Sequence, residues 1–463
     1  MTEPAPRGEQ RAVLFAVAVV AVPMVALGIV RLLLQLPQGD EPHYLVISQA
    51  LHLYGSLDVQ QVYDHRDYWS YYPMPLDPHI SPGPDGQPLP LHSIGGPVLW
   101  LLPFALWGRA GVVAFMTVVS LAIVANVYWL VRSLEVRRSV AVGVAVAFGL
   151  GTPVLMYASL TFVEPLGALG CVYALRLLHA REIGQGNLLL VSTVLGALPW
   201  IHSRFLLFPP ILGAFLLVRV WREGRSPARL ACLLAPAAVL IGGLLVYDAV
   251  VWHVIGLAPN QVNAGAVPFT ADPRRALVGI VLDQEVGVVP NFPVLLFVLP
   301  GLLLARRRAL TWHVAALVVP YVAVITSFPA WDGAWSPPAR FLAVILPLLA
   351  GHIGLAWERA GRSTLVLAGA LTAVGAGLTT LAVCSATGGF SAQRGRSPAL
   401  GVLDSLSGVD VGRVVPSLAQ PGQVPLFLAW AVLTLGFGLV SLRGRRDPAT
   451  PAARPLPRPG LSR

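Results

Sequence analysis

The sequence predicts an all-α polytopic membrane protein with about twelve transmembrane helices and interfacial helices in its first long outer loop. Hydrophobic residues make up 56% of the 463 residues and charged residues only 12%, whereas soluble domains carry roughly 25% charge. Apolar runs long enough to cross a bilayer recur from residue 12 to residue 442. This composition excludes a soluble enzyme and a disordered chain, and three cysteines exclude a disulfide-rich scaffold.

The apolar runs divide the chain into segments separated by short turns and longer polar loops. The first run, 12–36, is too long for a signal-peptide core and lacks a small-residue cleavage site, so we interpret it as a retained helix. The later predicted spans are 111–131, 139–157, 160–178, 188–200, 205–221, 230–255, 292–305, 310–328, 341–357, 365–386 and 425–442. Two of them, 188–200 and 292–305, are short for a crossing, which needs about 20 residues.

The basic residues orient these spans. The chain has 32 Lys+Arg against 22 Asp+Glu, every basic residue is an arginine, and most arginines lie in every second connection, as the positive-inside rule requires of cytoplasmic turns. We therefore predict a cytoplasmic tail at 1–11, a membrane domain at 12–442 and a disordered cytoplasmic tail at 443–463. Because the arginines act as orientation signals, the pI of about 10.1 does not indicate a nucleic-acid partner.

The long connections then lie on the outer face of the cell membrane, and the first of them is the outer loop at 37–109. It contains the apolar segment Ile94–Trp107, which is short and holds two prolines. We predict an interfacial helix on the outer surface here; a short true span is the alternative. Because long loops on a rigid scaffold commonly carry function, the chemistry is expected on the periplasmic or extracellular side.

Two adjacent carboxylates, Asp40 and Glu41, follow the first span in the motif GDEPHY at 39–44. A carboxylate near the low-dielectric boundary can have a raised pKa, which suits a general base. The alternative is a solvated helix start, with Asp40 as the N-cap and Pro42 in the first turn. We predict that both carboxylates are catalytic and that His43 and Tyr44 contribute to substrate binding.

Further polar groups lie at the predicted outer ends of later spans, where ionisable residues are functional hypotheses by default. They are Glu164, the triplet His202-Ser203-Arg204, the triplet Asp283-Gln284-Glu285, and the segment 331–340 with Asp332 and Arg340. We assign Glu164, His202, Asp283 and Asp332 to substrate binding.

Arg204 and Arg340 are the candidates for gripping a phosphate, because a guanidinium group can donate two parallel hydrogen bonds to it. Structural salt bridges, for instance between Glu164 and Arg204, are the alternative. Arg31, near the end of the first span, is expected only to snorkel to the outer interface.

His43, His65, His79 and His92 are four of the five histidines in the outer loop. A divalent metal site is therefore one interpretation, although no His/Cys pattern has zinc spacing. There is no nucleotide-binding loop and no dinucleotide fingerprint. We predict no certain cofactor, and an activated substrate would have to arrive through the membrane.

In the order and sidedness of these motifs, the chain resembles the GT-C superfamily of integral-membrane glycosyltransferases, which includes protein O-mannosyltransferases and lipid A aminoarabinose transferases. The GDE triplet at 39–41 is similar to the family's acidic motif after the first helix. His92 opens a surface helix that ends the outer loop, as in the family, and Glu164 opens the fourth span. The segment PARFL at 338–342 is similar to the family's small-Pro-Arg-Phe-Leu segment.

The resemblance implies a polyprenyl-phosphate-linked sugar as donor, Asp40 as the base that deprotonates an acceptor hydroxyl, and inversion at the anomeric carbon. Arg340 and Arg204 would hold the lipid phosphate, and His92 is grouped with the substrate-binding residues. The chain differs from better-known members in lacking an obvious soluble C-terminal domain and any lysine for the phosphate. The donor sugar and the acceptor, a glycan, lipid or protein, stay open.

Other function classes are compatible with a polytopic chain. A lipid-linked glycan polymerase or ligase would share the outer-face arginines and the polyprenyl donor. A secondary transporter suits a twelve-span count, but such proteins show internal repeats and midplane sites, whereas this sequence has no repeat and its ionisable groups cluster at the outer edge. A non-enzymatic membrane scaffold is the remaining alternative.

Overall fold

The computed structural model describes residues 7–224, 226–256, 258–265, 269, 271–391 and 394–441. Arg225 and the predicted tail at 443–463 lie outside the described residues. Within the described residues the chain is almost wholly helical, and the ordered strands form a small two-stranded sheet.

The helices follow one another from α1 near the N-terminus to α20 near the C-terminus. They are α1 (Arg7–Leu34), α2 (Glu41–Tyr54), α3 (Gln60–Asp64), α4 (Gly95–Leu99), α5 (Leu101–Arg132), α6 (Arg138–Leu150), α7 (Thr152–Tyr157), α8 (Glu164–His179), α9 (Gln185–Ile201), α10 (Phe208–Arg222), α11 (Pro227–Val251), α12 (Pro259–Asn263), α13 (Pro273–Leu282), α14 (Val288–Asn291), α15 (Val298–Ala305), α16 (Ala309–Ser327), α17 (Ala350–Glu358), α18 (Arg362–Val383), α19 (Pro398–Ser407) and α20 (Val424–Val440). Stretches of 3-10 helix occur at Asp67–Ser70, Ser203–Leu207, Pro293–Phe297, Phe341–Val344, Leu346–Leu349 and Val411–Val414.

Six of the described helices are long and apolar enough to cross a membrane: α1, α5, α10 with its preceding 3-10 turn, α11, α16 and α18. Four shorter helical stretches, α6, α9, α15 with its preceding turn, and α20, are also apolar. Each of the twelve predicted spans coincides with a helical stretch. The all-α polytopic fold class is confirmed, while the number of crossings and their orientation stay predictions.

The first helix begins earlier than the sequence predicts. It starts at Arg7, so α1 includes part of the predicted tail at 1–11. Glu9, in its first turn, forms ion pairs with Arg132 at 2.9 Å and with Arg138 at 3.2 Å. These pairs hold the start of α1 against α5 and α6.

Several of the predicted spans contain a break or a 3-10 turn, namely 139–157, 205–221, 292–305 and 341–357. The span 139–157 is divided at Gly151, whose backbone is extended, into α6 and α7. The ring of Phe292 lies so close that a Cβ atom at Gly151 would clash with it. The position of the break therefore requires a glycine. The short predicted span 292–305 begins as a 3-10 turn at Pro293 and continues as α15 from Val298.

The apolar segment Ile94–Trp107 forms two short helical pieces. The five residues of α4 are the first piece, and the second ends at Trp107 and Gly108, where α5 is interrupted by non-helical backbone with a φ of +56° at Gly108. Such pieces rise only about 8–11 Å at 1.5 Å per residue, far less than the roughly 30 Å of a bilayer core. The shape suits an interfacial helix, and its position relative to the membrane stays a prediction.

The outer loop also contains a β-hairpin that the sequence does not predict, because each strand has only three residues and contains proline. Strand β1 (Ile80–Pro82) pairs antiparallel with β2 (Pro88–Pro90). The N–H of Leu91 donates to the carbonyl of His79 at 3.2 Å, which extends the pairing. The hairpin thereby brings His79 beside His92.

Arg31, near the end of α1, is buried, so the prediction that it snorkels to the interface is wrong. The residue is 1% exposed. Its guanidinium donates to Ser159 Oγ at 2.9 Å, to Gln35 Oε1 at 3.0 Å and to the carbonyl of Gly388 at 2.9 Å. Because a buried cation needs acceptors, these bonds explain its inward position and join α1 to two distant loops.

Candidate functional site

Four charged side chains from separate parts of the chain meet at one end of the helical bundle, the predicted outer end. Asp40 precedes α2, Glu164 is the first residue of α8, Arg204 lies in the 3-10 turn after α9, and Arg340 precedes the 3-10 turn at Phe341–Val344. We call these four residues the polar cluster. Each is a predicted site residue, and the structure brings them into contact.

Arg340 is the centre of the polar cluster, and each of its nitrogens has an acceptor. Nε donates to Glu164 Oε1 at 3.2 Å, Nη1 to the carbonyl of Gly333 at 3.1 Å, and Nη2 to Asp40 Oδ2. The residue is 8% exposed. Because a lysine has one nitrogen and no planar fork, it could not reproduce this arrangement.

Glu164 has no exposed surface and is shared by the two arginines. Arg204 Nη2 donates to Glu164 Oε1 at 3.3 Å, which is the salt bridge expected as the structural alternative. Among the described residues, Glu164 Oε2 and Arg204 Nε are buried without a hydrogen-bond partner. A buried polar atom without a partner costs free energy, so a ligand that bonds to Arg204 Nε would gain affinity.

The Asp40 carboxylate faces Arg340 and does not cap α2. The residue occupies the N-cap position, but its side chain accepts no bond from the helix, so the expected alternative of a capping role is not observed. Burial by itself raises the pKa of Asp40, but the charge of Arg340 and the hydrogen bond from Arg340 hold that pKa well below its usual range. The side chain is 23% exposed, which leaves it accessible to a ligand.

The backbone around Asp40 is fixed by its two neighbours. Gly39 has a φ of +57°, and a Cβ atom there would lie 2.5 Å from the carbonyl oxygen of residue 335, so the position requires glycine. Glu41 is buried; its Oε1 accepts the N–H of Thr161 at 2.8 Å and its Oε2 the N–H of Gln38 at 3.1 Å. Glu41 therefore holds Asp40 in place by tying the start of α2 to the segment before α8.

Three of the outer-loop histidines lie together beside Asp40. The rings of His43 and His79 stack with centroids 3.4 Å apart, and His79 Nδ1 lies 3.1 Å from His92 Nε2. Burial lowers the pKa of His92 to about 4, so its ring is neutral at pH 7. The fourth histidine, His65, lies elsewhere and bonds to a tyrosine hydroxyl.

Asp40, His79 and His92 have the spacing of metal ligands. One atom from each lies within 4.8 Å of the others, and this is the one such group among the described residues. A carboxylate and two neutral imidazoles suit a divalent ion such as Zn²⁺ or Mn²⁺. These three side chains therefore fit a metal ion, and Asp40 would then contact both the metal and Arg340.

Tyr44 and His202 border the polar cluster without bonding to its charged groups. The ring of Tyr44 lies 4.8 Å from that of His92, centroid to centroid. His202 Nδ1 accepts the backbone N–H of Arg204 at 3.2 Å, which fixes the turn that carries Arg204. Both residues therefore pack beside the residues of the site.

Asp283 and Asp332 bond to backbone groups of loops and are not part of the polar cluster. Asp283 Oδ1 accepts the N–H groups of residues 285 and 286 at 2.8 and 3.2 Å, and Oδ2 accepts that of residue 418 at 2.7 Å. Asp332 accepts the N–H of residue 334 at 3.0 Å. These bonds occupy the Asp283 carboxylate and give no support to its expected role in substrate binding.

Two aromatic residues of the site, Phe162 and Phe341, were not predicted from the sequence. The guanidinium carbon of Arg340 lies 4.6 Å from the ring centroid of Phe162, and that of Arg204 lies 3.9 Å from the ring centroid of Phe341. A desolvated cation–π contact is worth about 2 kcal/mol. Their closeness in sequence to Glu164 and Arg340 is the signal that could have revealed them.

No family model matches the chain, and no curated protein matches its sequence. Among solved structures, the chain is similar to ArnT from Cupriavidus metallidurans bound to undecaprenyl phosphate, with a TM-score of 0.53 and 13% identity over 93% of this chain and 76% of ArnT. The apo structure of the same ArnT gives a TM-score of 0.52 and 14% identity over 92% and 76% of the two chains. The likeness shows that this chain has the fold of ArnT.

Proposed function

We propose that this GT-C-fold chain is a membrane glycosyltransferase that moves a sugar from a polyprenyl-phosphate donor to an acceptor hydroxyl on the outer face. The observation that carries the proposal is the pairing of Asp40 with Arg340 in a cluster that also holds Arg204. A carboxylate can take the proton of an acceptor, and arginines can hold a phosphate leaving group. The undecaprenyl phosphate bound to ArnT supports the same class of lipid donor.

The two arginines are unequal as phosphate ligands. Arg340 uses all of its nitrogens for Glu164, Gly333 and Asp40. Arg204 uses Nη2 for Glu164 and keeps a buried Nε without a partner among the described residues. We therefore assign the first contact with the phosphate to Arg204, after which Arg340 exchanges its bond to Asp40 for a bond to the phosphate.

That exchange would activate Asp40 as a base. While Arg340 is bonded to Asp40, the pKa of the carboxyl lies well below its usual range, and so weak a base accepts protons poorly. When the phosphate takes over the Arg340 bond, the carboxylate loses this stabilisation and its pKa rises. Donor binding would therefore produce an active base only when the leaving group is in place.

In the proposed step, Asp40 takes the proton of the acceptor hydroxyl while the acceptor oxygen attacks the anomeric carbon. The bond from that carbon to the phosphate oxygen breaks, and its electron pair stays on the phosphate. Arg204 and Arg340 stabilise the developing negative charge. Attack on the face opposite the leaving group inverts the configuration of the sugar.

Asp40, His79 and His92 are the residues that would hold a divalent metal at this site. When bound, the metal would supply positive charge beside the phosphate and the acceptor oxygen. The hairpin holds the two histidines together, and burial keeps His92 neutral at pH 7. The chain's own contribution is therefore a preformed pair of imidazole ligands next to the proposed base.

The test is turnover of lipid-linked sugars by purified protein in detergent. Radiolabelled polyprenyl-phosphate hexoses and pentoses should lose their label to an acceptor or to water, with release of polyprenyl phosphate. Nucleotide sugars are the control donors and should not react. Reaction only with pyrophosphate-linked oligosaccharides would favour the polymerase or ligase alternative, and reaction with no lipid-linked sugar would contradict the proposal.

Arginine variants test the phosphate assignment in the same preparation. Arg204→Lys and Arg340→Lys keep the charge but lose the planar fork, so donor affinity should fall in both, and Arg340→Ala should lose more. Arg359→Lys, an exposed residue at the end of α17, is the matched control. Unchanged donor affinity in the Arg204 and Arg340 variants would make both residues structural.

A further inference from the structure

A cleft opens next to the polar cluster, between the ends of α9 and α11 and the short helix α12. Three rings line it: Trp200 in α9, Tyr247 in α11, and Trp252 directly after α11. Asp248 and Asn260 supply polar groups. We call these five residues the aromatic cleft, and no step of the proposed reaction uses them.

Asp248 is the most unusual residue of the aromatic cleft. It is 5% exposed, and within the part of the chain that the structure describes its carboxylate has no hydrogen bond or ion pair. In contrast, the buried Glu164 is paired with two arginines, and the buried Glu285 accepts bonds from Ser391 and backbone N–H groups. The Asp248 oxygens are not among the fully buried side-chain atoms without a partner, so the carboxylate reaches the open space of the cleft. Ionisable residues in apolar helices mark functional sites by default.

The rings of the aromatic cleft are fixed in place. Trp200 and Tyr247 have ring centroids 5.4 Å apart at an angle of 48°, and the Trp200 indole N–H donates to the carbonyl of Leu240 at 2.8 Å. Preplaced rings offer flat apolar faces, while a carboxylate and an amide can bind hydroxyl groups. A sugar ring has one apolar C–H face and a polar edge, so it matches this combination.

The aromatic cleft reaches the polar cluster through two further lining residues. His92 and Ser203 also line it; His92 belongs to the ligand group with Asp40, and Ser203 immediately precedes Arg204. A sugar in the aromatic cleft would therefore lie next to both the proposed base and the first phosphate contact.

We infer that the aromatic cleft is a carbohydrate subsite in which Asp248 accepts hydrogen bonds from sugar hydroxyl or amino groups while the three rings pack against the sugar. The inference rests on the proposed function and deepens it, because it locates the sugar. That sugar can belong to the donor or to the acceptor, and the experiments below separate the two sources.

Binding of free sugars tests the subsite without requiring transfer. The probes are methyl glycosides of mannose, glucose, galactose, arabinose and glucosamine, measured with purified protein by saturation-transfer NMR. We expect wild-type protein to bind at least one of them, and Asp248→Asn to bind it about tenfold more weakly, as for a lost bond to a charged group. Asp64→Asn, an exposed carboxylate in α3, is the control and should bind as wild type.

Two results would overturn the inference. One is the absence of glycoside binding by the wild type or equal binding by Asp248→Asn. The other comes from thermal unfolding: because the carboxylate is unpaired, its neutralisation should leave the Tm unchanged or raise it. A clear fall in the Tm of Asp248→Asn would mean that the carboxylate has a structural partner.

Lipid binding identifies the source of the sugar. If the subsite holds the donor sugar, Asp248→Asn weakens binding of a polyprenyl-phosphate sugar but not of polyprenyl phosphate alone. If it holds an acceptor sugar, both lipids bind normally and the KM for the acceptor rises. Failure of the proposed function looks different: glycosides would bind in an Asp248-dependent way, but no polyprenyl-phosphate sugar would be turned over.

Discussion

Removal of Arg340 should destabilise the folded protein, because this residue pairs with two carboxylates at once. In Arg340→Met, Asp40 loses its bonded arginine, while Glu164 keeps its contact with Arg204 at 3.3 Å. An uncompensated buried carboxylate costs about 3–5 kcal/mol. Since Glu164 retains one arginine and Asp40 is 23% exposed, we expect the lower part of that range, about 3–4 kcal/mol.

Thermal unfolding of the purified protein in detergent measures this loss of stability. Arg340→Met should melt well below the wild type, and adding Asp40→Asn should recover most of the loss because the uncompensated charge disappears. Arg359→Met, at an exposed position, should change stability by less than about 0.5 kcal/mol. Wild-type stability of Arg340→Met, or no recovery in the double variant, would refute the ion-pair reasoning.

The same pair makes a prediction about pH. Arg340 lowers the pKa of Asp40 below its ordinary 3.8, so the stabilisation is present above about pH 4 and is lost as the pH falls below it. The Tm values of wild type and Arg340→Met should therefore differ at pH 6 and converge towards pH 3. A constant difference over this range would mean that Arg340 stabilises by packing and not by charge.

Three other predictions concern orientation, metal binding and packing. A single cysteine at Ser70, in the outer loop, should react with an impermeant thiol reagent in intact cells, whereas one at Arg181, in a predicted cytoplasmic turn, should not; the reverse pattern would contradict the orientation. His92→Gln should reduce the affinity of purified protein for Zn²⁺ or Mn²⁺ at least about tenfold by elemental analysis, and unchanged affinity would place any metal elsewhere. Arg31→Met should cost about 1–3 kcal/mol of stability because it leaves the Gly388 carbonyl unpaired; an unchanged Tm would show that the bonds of Arg31 contribute nothing.

The apolar spans and the members of the polar cluster were predictable because each depends on local sequence. A long apolar run specifies a membrane helix by itself, and Asp40, Glu164 and Arg340 are charged residues at the ends of such runs. The pairing of Arg340 with Asp40 and Glu164 could not be read from the sequence, because the partners come from different spans; the bridge between Glu164 and Arg204 was considered as an alternative. Arg31 illustrates the limit: its acceptors Ser159 and Gly388 lie 128 and 357 residues away, so no local pattern indicates that it is buried.

Other features were missed for different reasons. The hairpin that joins His79 to His92 has strands of three residues with prolines, which is too little for a recognisable alternation. Asp248 carried a usable signal, a carboxylate inside the apolar run 230–255, but the run was interpreted only as a span. The backbone N–H bonds to the Asp283 carboxylate could not be predicted, because one of them comes from a loop 135 residues away.

The most direct test of the central claim is sugar transfer by Asp40→Asn at saturating polyprenyl-phosphate donor, measured beside thermal unfolding. Asparagine is nearly isosteric with aspartate and cannot accept the proton, so the variant should still fold, at a Tm lowered by the loss of the ion pair with Arg340, and should lose about 10²–10⁴ in turnover. Glu41→Gln is the matched comparison; because Glu41 accepts two backbone N–H bonds, it should lose more stability and less turnover than Asp40→Asn. Turnover of Asp40→Asn close to wild type would contradict the assignment of Asp40 as the base.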